Sequence, residues 1–125
     1  KVGKLIFVSG QVSFRNDGVL IKGKVGSDLT LEQGQDAAKV CAINILSQIK
    51  SACDGDLEKV KNCIKITGFV NSIDSFIEQP KIINAASELL LSIFGEKGMH
   101  SRAAVSVNSL PLGASVEIEA IFEVI

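Results

Sequence analysis

The segment that most constrains the fold is the last one. From Val116 to Val124 apolar residues fall at every second position: Val116, Ile118, Ala120, Phe122 and Val124 on one side, Glu117, Glu119, Ile121 and Glu123 on the other. A period of two belongs to an extended strand whose two faces meet different surroundings. Such a strand needs neighbours to satisfy its backbone and a second layer to cover its apolar side. At 125 residues there is room for one domain of this kind, and no repeat, low-complexity stretch or Pro/Gly/Ser linker divides residues 1–125.

The remaining elements follow from periodicity and capping chemistry. Leu5-Ile6-Phe7-Val8 reads as a mostly buried strand ended by Ser9-Gly10-Gln11. Asn16-Asp17-Gly18 lies between Val12-Ser13-Phe14 and Val19-Leu20-Ile21, a pattern that predicts a β-hairpin. Thr30 followed by Gln33 is a capping box, and Ala38, Cys41, Ala42, Ile45, Leu46 and Ile49 then form the buried stripe of a long helix stopped by Asp54-Gly55-Asp56. Val60, Asn62, Ile64 and Ile66 alternate with Lys61, Cys63, Lys65 and Thr67, a strand expected to run on through Phe69-Val70. Pro80 opens a second helix with the stripe Ile82, Ala86, Leu89, Leu90 and Ile93, closed by Gly95 and Gly98. Ala103, Val105 and Val107, alternating with Arg102, Ala104 and Ser106, give the next strand. The predicted order is ββαβαββ, an α+β domain with both helices on one face of a mixed sheet.

Composition narrows the function. The six aromatic residues are all Phe, so the apolar content lies in small aliphatics, and part of it is expected between subunits, on the uncovered sheet face. Thirteen basic residues against fourteen acidic ones, with no basic cluster, argue against a nucleic-acid partner. No apolar run approaches the roughly 20 residues that span a bilayer, so no membrane partner is expected. The opening residues carry no signal-peptide core. Cys41, Cys53 and Cys63 are odd in number and lack C-x-x-C spacing, which suits free thiols in a reducing cytoplasm.

Few side chains carry chemistry. His100 is the lone histidine, in the segment Gly98-Met99-His100, with no triad signature nearby, and it reads as a loop residue. A metal site would need that histidine with widely separated cysteines, so none is expected. Gly95-Glu96-Lys97-Gly98 lacks the order of a phosphate-binding loop, and Cys41 reads as a small core residue while Cys63 falls on the more polar side of its strand. Arg102 stands out at the entrance of a small apolar strand, where a guanidinium can grip a carboxylate through two parallel bonds. Glu117 and Glu119 read equally as solvent-facing, and spacing does not choose between them. A simple hairpin pivoting on residues 109–114 would leave Glu117 several residues away from the position opposite Arg102. If the two share a site, their strands are not hairpin partners or another subunit completes it.

Three segments together, Phe7-Val8-Ser9-Gly10-Gln11, Ser101-Arg102-Ala103-Ala104-Val105 with Leu110-Pro111-Leu112-Gly113, and Val116-Glu117-Ile118-Glu119-Ala120, resemble the Rid family, also called YjgF-type or endoribonuclease L-PSP proteins. Asn84-Ala85-Ala86-Ser87 and His100-Ser101-Arg102 point to a branch similar to the archetypal deaminases but distinct from them. The resemblance implies a chorismate-mutase-like fold, a homotrimer around a barrel of three sheets, and clefts between subunits. It further implies hydrolysis of reactive enamines and imines, such as 2-aminoacrylate, to 2-keto acids and ammonia without a cofactor. In that frame Arg102 clamps a small anionic substrate, Glu117 activates water, backbone around Ser9 and Gly10 lines the cleft, and Asn84 orders it. Ala104 takes the place of a cysteine common in archetypal members, whose aromatic residue before the first strand has no counterpart here. The alternatives are a non-catalytic carboxylate-binding protein, and an endoribonuclease or translation inhibitor as older family labels suggest.

Overall fold

In the computed structural model, which describes residues 1–125, the chain runs β1 (Leu5–Val12), α1 (Leu31–Ala52), β2 (Val60–Asn71), α2 (Gln79–Phe94), β3 (Ser101–Val107) and β4 (Val116–Val124). The strands form one mixed sheet in the order β1-β4-β2-β3. β4 is antiparallel to β1 and β2, while β2 and β3 are parallel, a pairing made possible by the crossover through α2. The alternating final segment therefore sits inside the sheet, between two partners. Its five inward residues are almost completely buried beneath the helices. The α+β architecture expected from the pattern, with both helices on one face of a mixed sheet, is the one observed, and no helix is long and apolar enough to cross a membrane.

Local chemistry explains both helices. Gln33 N–H donates to Thr30 Oγ1 at 3.2 Å and Thr30 N–H donates to Gln33 Oε1 at 2.9 Å, so the capping box closes in both directions. The α1 face of Ala37, Ala38, Cys41, Ala42, Ile45 and Ile49 is fully buried. Small residues there let α1 lie close to its neighbours, and a Cβ on Gly34 would strike Ile82 of α2. Pro80 occupies the first turn of α2, and Gly95 ends it with a φ of 61°. Beneath α2, Gly68 of β2 leaves room for Ile83, whose side chain occupies the space a Cβ would take. Phe94, at the end of α2, meets Phe122 of β4 edge-on, with ring centroids 6.0 Å apart.

Three expectations change on contact with the structure. The Asn16-Asp17-Gly18 turn forms, with Gly18 at φ 84°, but its arms pair only around Phe14 and Leu20, through Arg15 N–H to the Val19 carbonyl and Ile21 N–H to the Ser13 carbonyl. The second element of the expected order is thus a short arm rather than a sheet strand. The returning chain is drawn off by other partners: Ser115 N–H donates to the Ile21 carbonyl and Val25 N–H to the Asn71 carbonyl. In β2, register shifts at residues 60–62 and 63–65 reverse the alternation, so Cys63 is buried and Ile64 exposed, opposite to the simple pattern. In α2, Ile93 is 49% exposed, while Ser87 takes a place on the buried face.

The sheet's other face has no cover within the chain. Phe7 is 56% and Val105 45% exposed there, in a field that includes Phe69, Ile121 and Glu117.

Candidate functional site

Arg102 enters β3 opposite Ile66, which is fully buried, so its side chain leaves the sheet on the helix side. There it meets the last turns of α2. Arg102 Nη1 donates to Ser87 Oγ at 3.1 Å, and Ser87 Oγ lies 2.9 Å from His100 Nε2. His100 Nδ1 is 2.6 Å from the Gly98 carbonyl. The short turn at residues 95–98 brings that carbonyl into reach by folding tightly back under the helix. A Cβ on Gly98 would lie 2.6 Å from the Leu90 carbonyl oxygen, so only glycine fits.

Around this chain of bonds opens a cleft of about 280 Å³ lined by Ser87, Leu91, Met99, His100 and Arg102. Two aliphatic walls and one guanidinium make a place for a small anion with an apolar part. None of the four ion pairs of the chain involves Arg102, so its charge is not matched by any carboxylate of its own chain. A larger cleft, about 380 Å³ between α1 and the arm at residues 14–21, holds none of the predicted site residues. Its arginine, Arg15, is already held by Asp17 at 2.7 Å.

The other expected site residues fall in different places. Glu117 pairs with Phe69 on the opposite, uncovered face. Gly10 belongs with it, because a Cβ at Gly10 would collide with the Glu117 carboxylate. The missing side chain gives that carboxylate room where β1 is irregular between Val8 and Gln11. Ser9 is exposed in the same irregularity, and its carbonyl accepts from Gln11 Nε2 at 3.0 Å. Ala104, two residues on from Arg102, packs against the core on the helix side opposite Gly68. Asn84 lies exposed in a shallow groove with Gln35, Lys81, Ala85 and Glu88 between the helices, outside the Arg102 cleft. Within one chain, then, Gly10 and Glu117 come together, Arg102 and Ala104 share a face, and the two groups are separated by the sheet.

The residues that sequence reasoning left aside are Ser87 and His100. The signal for Ser87 is a lone hydroxyl amid the apolar stripe of α2, and for His100 its spacing two residues before Arg102, just ahead of the first residue of β3. His, Cys, Asp and Glu side chains nowhere gather in threes. The cysteines are free and buried. Burial pushes the Cys63 thiol up to about 12 and raises Cys41 further, helped by the negative charge of Glu117, so neither is a ready nucleophile.

Comparison with known proteins places this geometry. Over 122 residues the chain is 46% identical to Protein TCP17 of Trypanosoma cruzi, covering 97% of this chain and 76% of that one. The crystal structure of Atu1372 from Agrobacterium tumefaciens, described as of unknown function, is similar over 100% of this chain and 81% of its own, with a TM-score of 0.98 and 46% identity. RidA from the Antarctic bacterium Psychrobacter sp. PAMC 21119 is similar over 99% of this chain and 84% of its own, with a TM-score of 0.65 and 27% identity. Residues 1–123 match the family described as "YjgF/chorismate mutase-like, putative endoribonuclease", and with the fold in agreement the chain belongs to that family.

Proposed function

We propose that this protein is a hydrolytic deaminase of reactive 2-imino and 2-enamino acids, assembled as a trimer in the cytoplasm, with its sites between subunits. The observation that carries the reading is Arg102, a cation with no carboxylate partner in its own chain at the mouth of a cleft with aliphatic walls. A guanidinium so placed fits a carboxylate bidentately. Glu117, on the far face of the sheet, can join that cleft only from a second chain, and the exposed Phe7 and Val105 around it are surface that such a chain would cover.

The chemistry asks little of the protein. Protonation of an enamine at its terminal carbon by a proton from solvent gives the iminium, and water then adds to the electrophilic C2. Glu117 takes a proton from that water and returns one to nitrogen. The carbinolamine collapses to the 2-keto acid and ammonia. Orientation by Arg102 and one basic carboxylate supply what the reaction needs, and no cofactor enters. Backbone at Ser9 and Gly10 would border the water, Asn84 would act at a distance through the helix layer, and Ala104 would leave the cleft floor apolar.

The test is release of ammonia and keto acid from 2-aminoacrylate generated in situ. Wild type should exceed the spontaneous rate, and a rate no greater than the uncatalysed one overturns the reading. Saturable keto-acid binding without turnover would identify a carboxylate-binding protein instead. An endoribonuclease is disfavoured by a net charge of −1, because RNA affinity is built on phosphate neutralisation.

A further inference from the structure

We propose that Ser87 and His100 are positioning residues that fix the plane and reach of the Arg102 guanidinium, an inference that rests on reading Arg102 as the carboxylate clamp. For an imidazole carrying a single ring hydrogen, the direction of every bond in the chain follows from its far end. The Gly98 carbonyl can only accept, so the His100 nitrogen 2.6 Å from it, Nδ1, bears the hydrogen. With a single ring hydrogen, held on Nδ1, the imidazole leaves Nε2 as an acceptor, and the Ser87 hydroxyl 2.9 Å away donates to it. With its hydrogen committed, Ser87 Oγ presents only lone pairs to Arg102, whose Nη1 donates to it at 3.1 Å. A backbone carbonyl thereby sets the tautomer of a histidine, the rotor of a serine and the orientation of an arginine.

This arrangement suits a binding cation better than a structural one. A structural arginine is matched by a carboxylate or spreads its donors over several carbonyls, whereas Arg102 gives one hydrogen bond to a neutral hydroxyl and keeps its other donors for the cleft. One anchor at Nη1 is enough to remove much of the rotamer freedom that a carboxylate would otherwise have to quench on binding. Ser87, nine-tenths buried on the packed face of α2, is rigid enough to serve. Its replacement by alanine fits the same space, so the hydroxyl is dispensable for packing and needed for aim.

Nitrogen-15 NMR of the intact, ligand-free chain of residues 1–125 reads the arrangement directly. The expected result is a His100 ring with its hydrogen on Nδ1 and none on Nε2, and an Arg102 guanidinium with slowed rotation. Ser87→Ala and His100→Leu should each free that rotation. His100→Gln, whose side-chain carbonyl still accepts from the serine hydroxyl, should restore most of the order. In calorimetry with pyruvate, Ser87→Ala and His100→Leu should weaken binding roughly tenfold, the scale of one lost orienting hydrogen bond, with His100→Gln close to wild type. An Nε2-protonated histidine, or unchanged Arg102 rotation in Ser87→Ala, overturns the proposal. If wild type binds pyruvate no better than Arg102→Ala, the clamp reading fails instead, and the NMR result still decides whether the chain of bonds aims the arginine.

Discussion

Arg102 and Glu117 stand on opposite faces of one sheet: Arg102 shares the helix side with its partner Ile66, and Glu117 shares the uncovered side with Phe69. With β2 between β3 and β4, no rotamer brings the two together within a chain. A site that uses both draws them from different chains. Arg102→Ala and Glu117→Gln should each be inactive alone. Co-assembled in equal amounts, they should recover about a quarter of wild-type turnover, the fraction of interfaces that random mixing leaves intact. Deaminase assays on refolded mixtures check this, and no recovery would refute a shared site.

Arginine and lysine should differ at position 102. Lysine keeps the charge but lacks the planar fork and falls short of Ser87, so Arg102→Lys should bind 2-keto acids roughly tenfold more weakly than wild type. Arg102→Ala should be weaker again. Titration calorimetry distinguishes the three proteins.

The uncovered face should hold the assembly together. Val105→Asp places a charge among Phe69, Glu117 and their neighbours without touching the core. Sedimentation velocity should show the variant as smaller species while its circular dichroism remains that of wild type. A stable wild-type monomer would contradict the proposed trimer.

Gly10→Ala should slow turnover without unfolding the chain. The added methyl lands on the Glu117 carboxylate, the movable end of a side chain, so the glutamate swings aside and the backbone stays in place. The expected outcome is a lower kcat with a thermal midpoint within a few degrees of wild type.

The thiols give a pH signature. Burial holds Cys63 at about 12, and Cys41 higher, against an ordinary value of 9.0, so the folded state keeps protons that the unfolded state releases. Their contribution is constant below the unfolded value and is lost as pH rises through about 9 toward 12. Denaturant midpoints should fall between pH 8 and pH 10, less steeply in Cys63→Ala. At pH 8 the folded protein should resist thiol reagents that label the unfolded chain at once.

How much of this was legible beforehand depends on whether the controlling interaction is local. The capping box at Thr30, the Pro80 start and Gly95 stop of α2, and the alternation of β4 are neighbour effects, and all appear where the residues place them. The bulges that bury Cys63 and expose Ile64 arise from pairing with β4, a partner about sixty residues away, so no count of twos along β2 reveals them. The hairpin arm stays short because Ser115 takes the Ile21 carbonyl and, just beyond it, Asn71 takes the Val25 N–H. For the site, Arg102 announced itself as a charge in an apolar strand. Ser87 did not, because a serine in a helical stripe looks like a packing residue until the crossover brings His100 and Arg102 beneath it. Asn84, tied to the cleft by resemblance alone, lies in this chain in a groove with Gln35, Lys81, Ala85 and Glu88.

Gly68 carries a consequence beyond packing. Because Ile83 fills the space of its missing side chain, this glycine sets the height at which α2 rides over β2, and Ser87 lies one turn further along the same helix. A methyl group at position 68 would act as a shim under a lever, lifting the serine from the guanidinium while touching neither. The aim of the Arg102 guanidinium is thus adjustable from beneath the floor, by a residue that touches neither end of the Ser87–Arg102 bond.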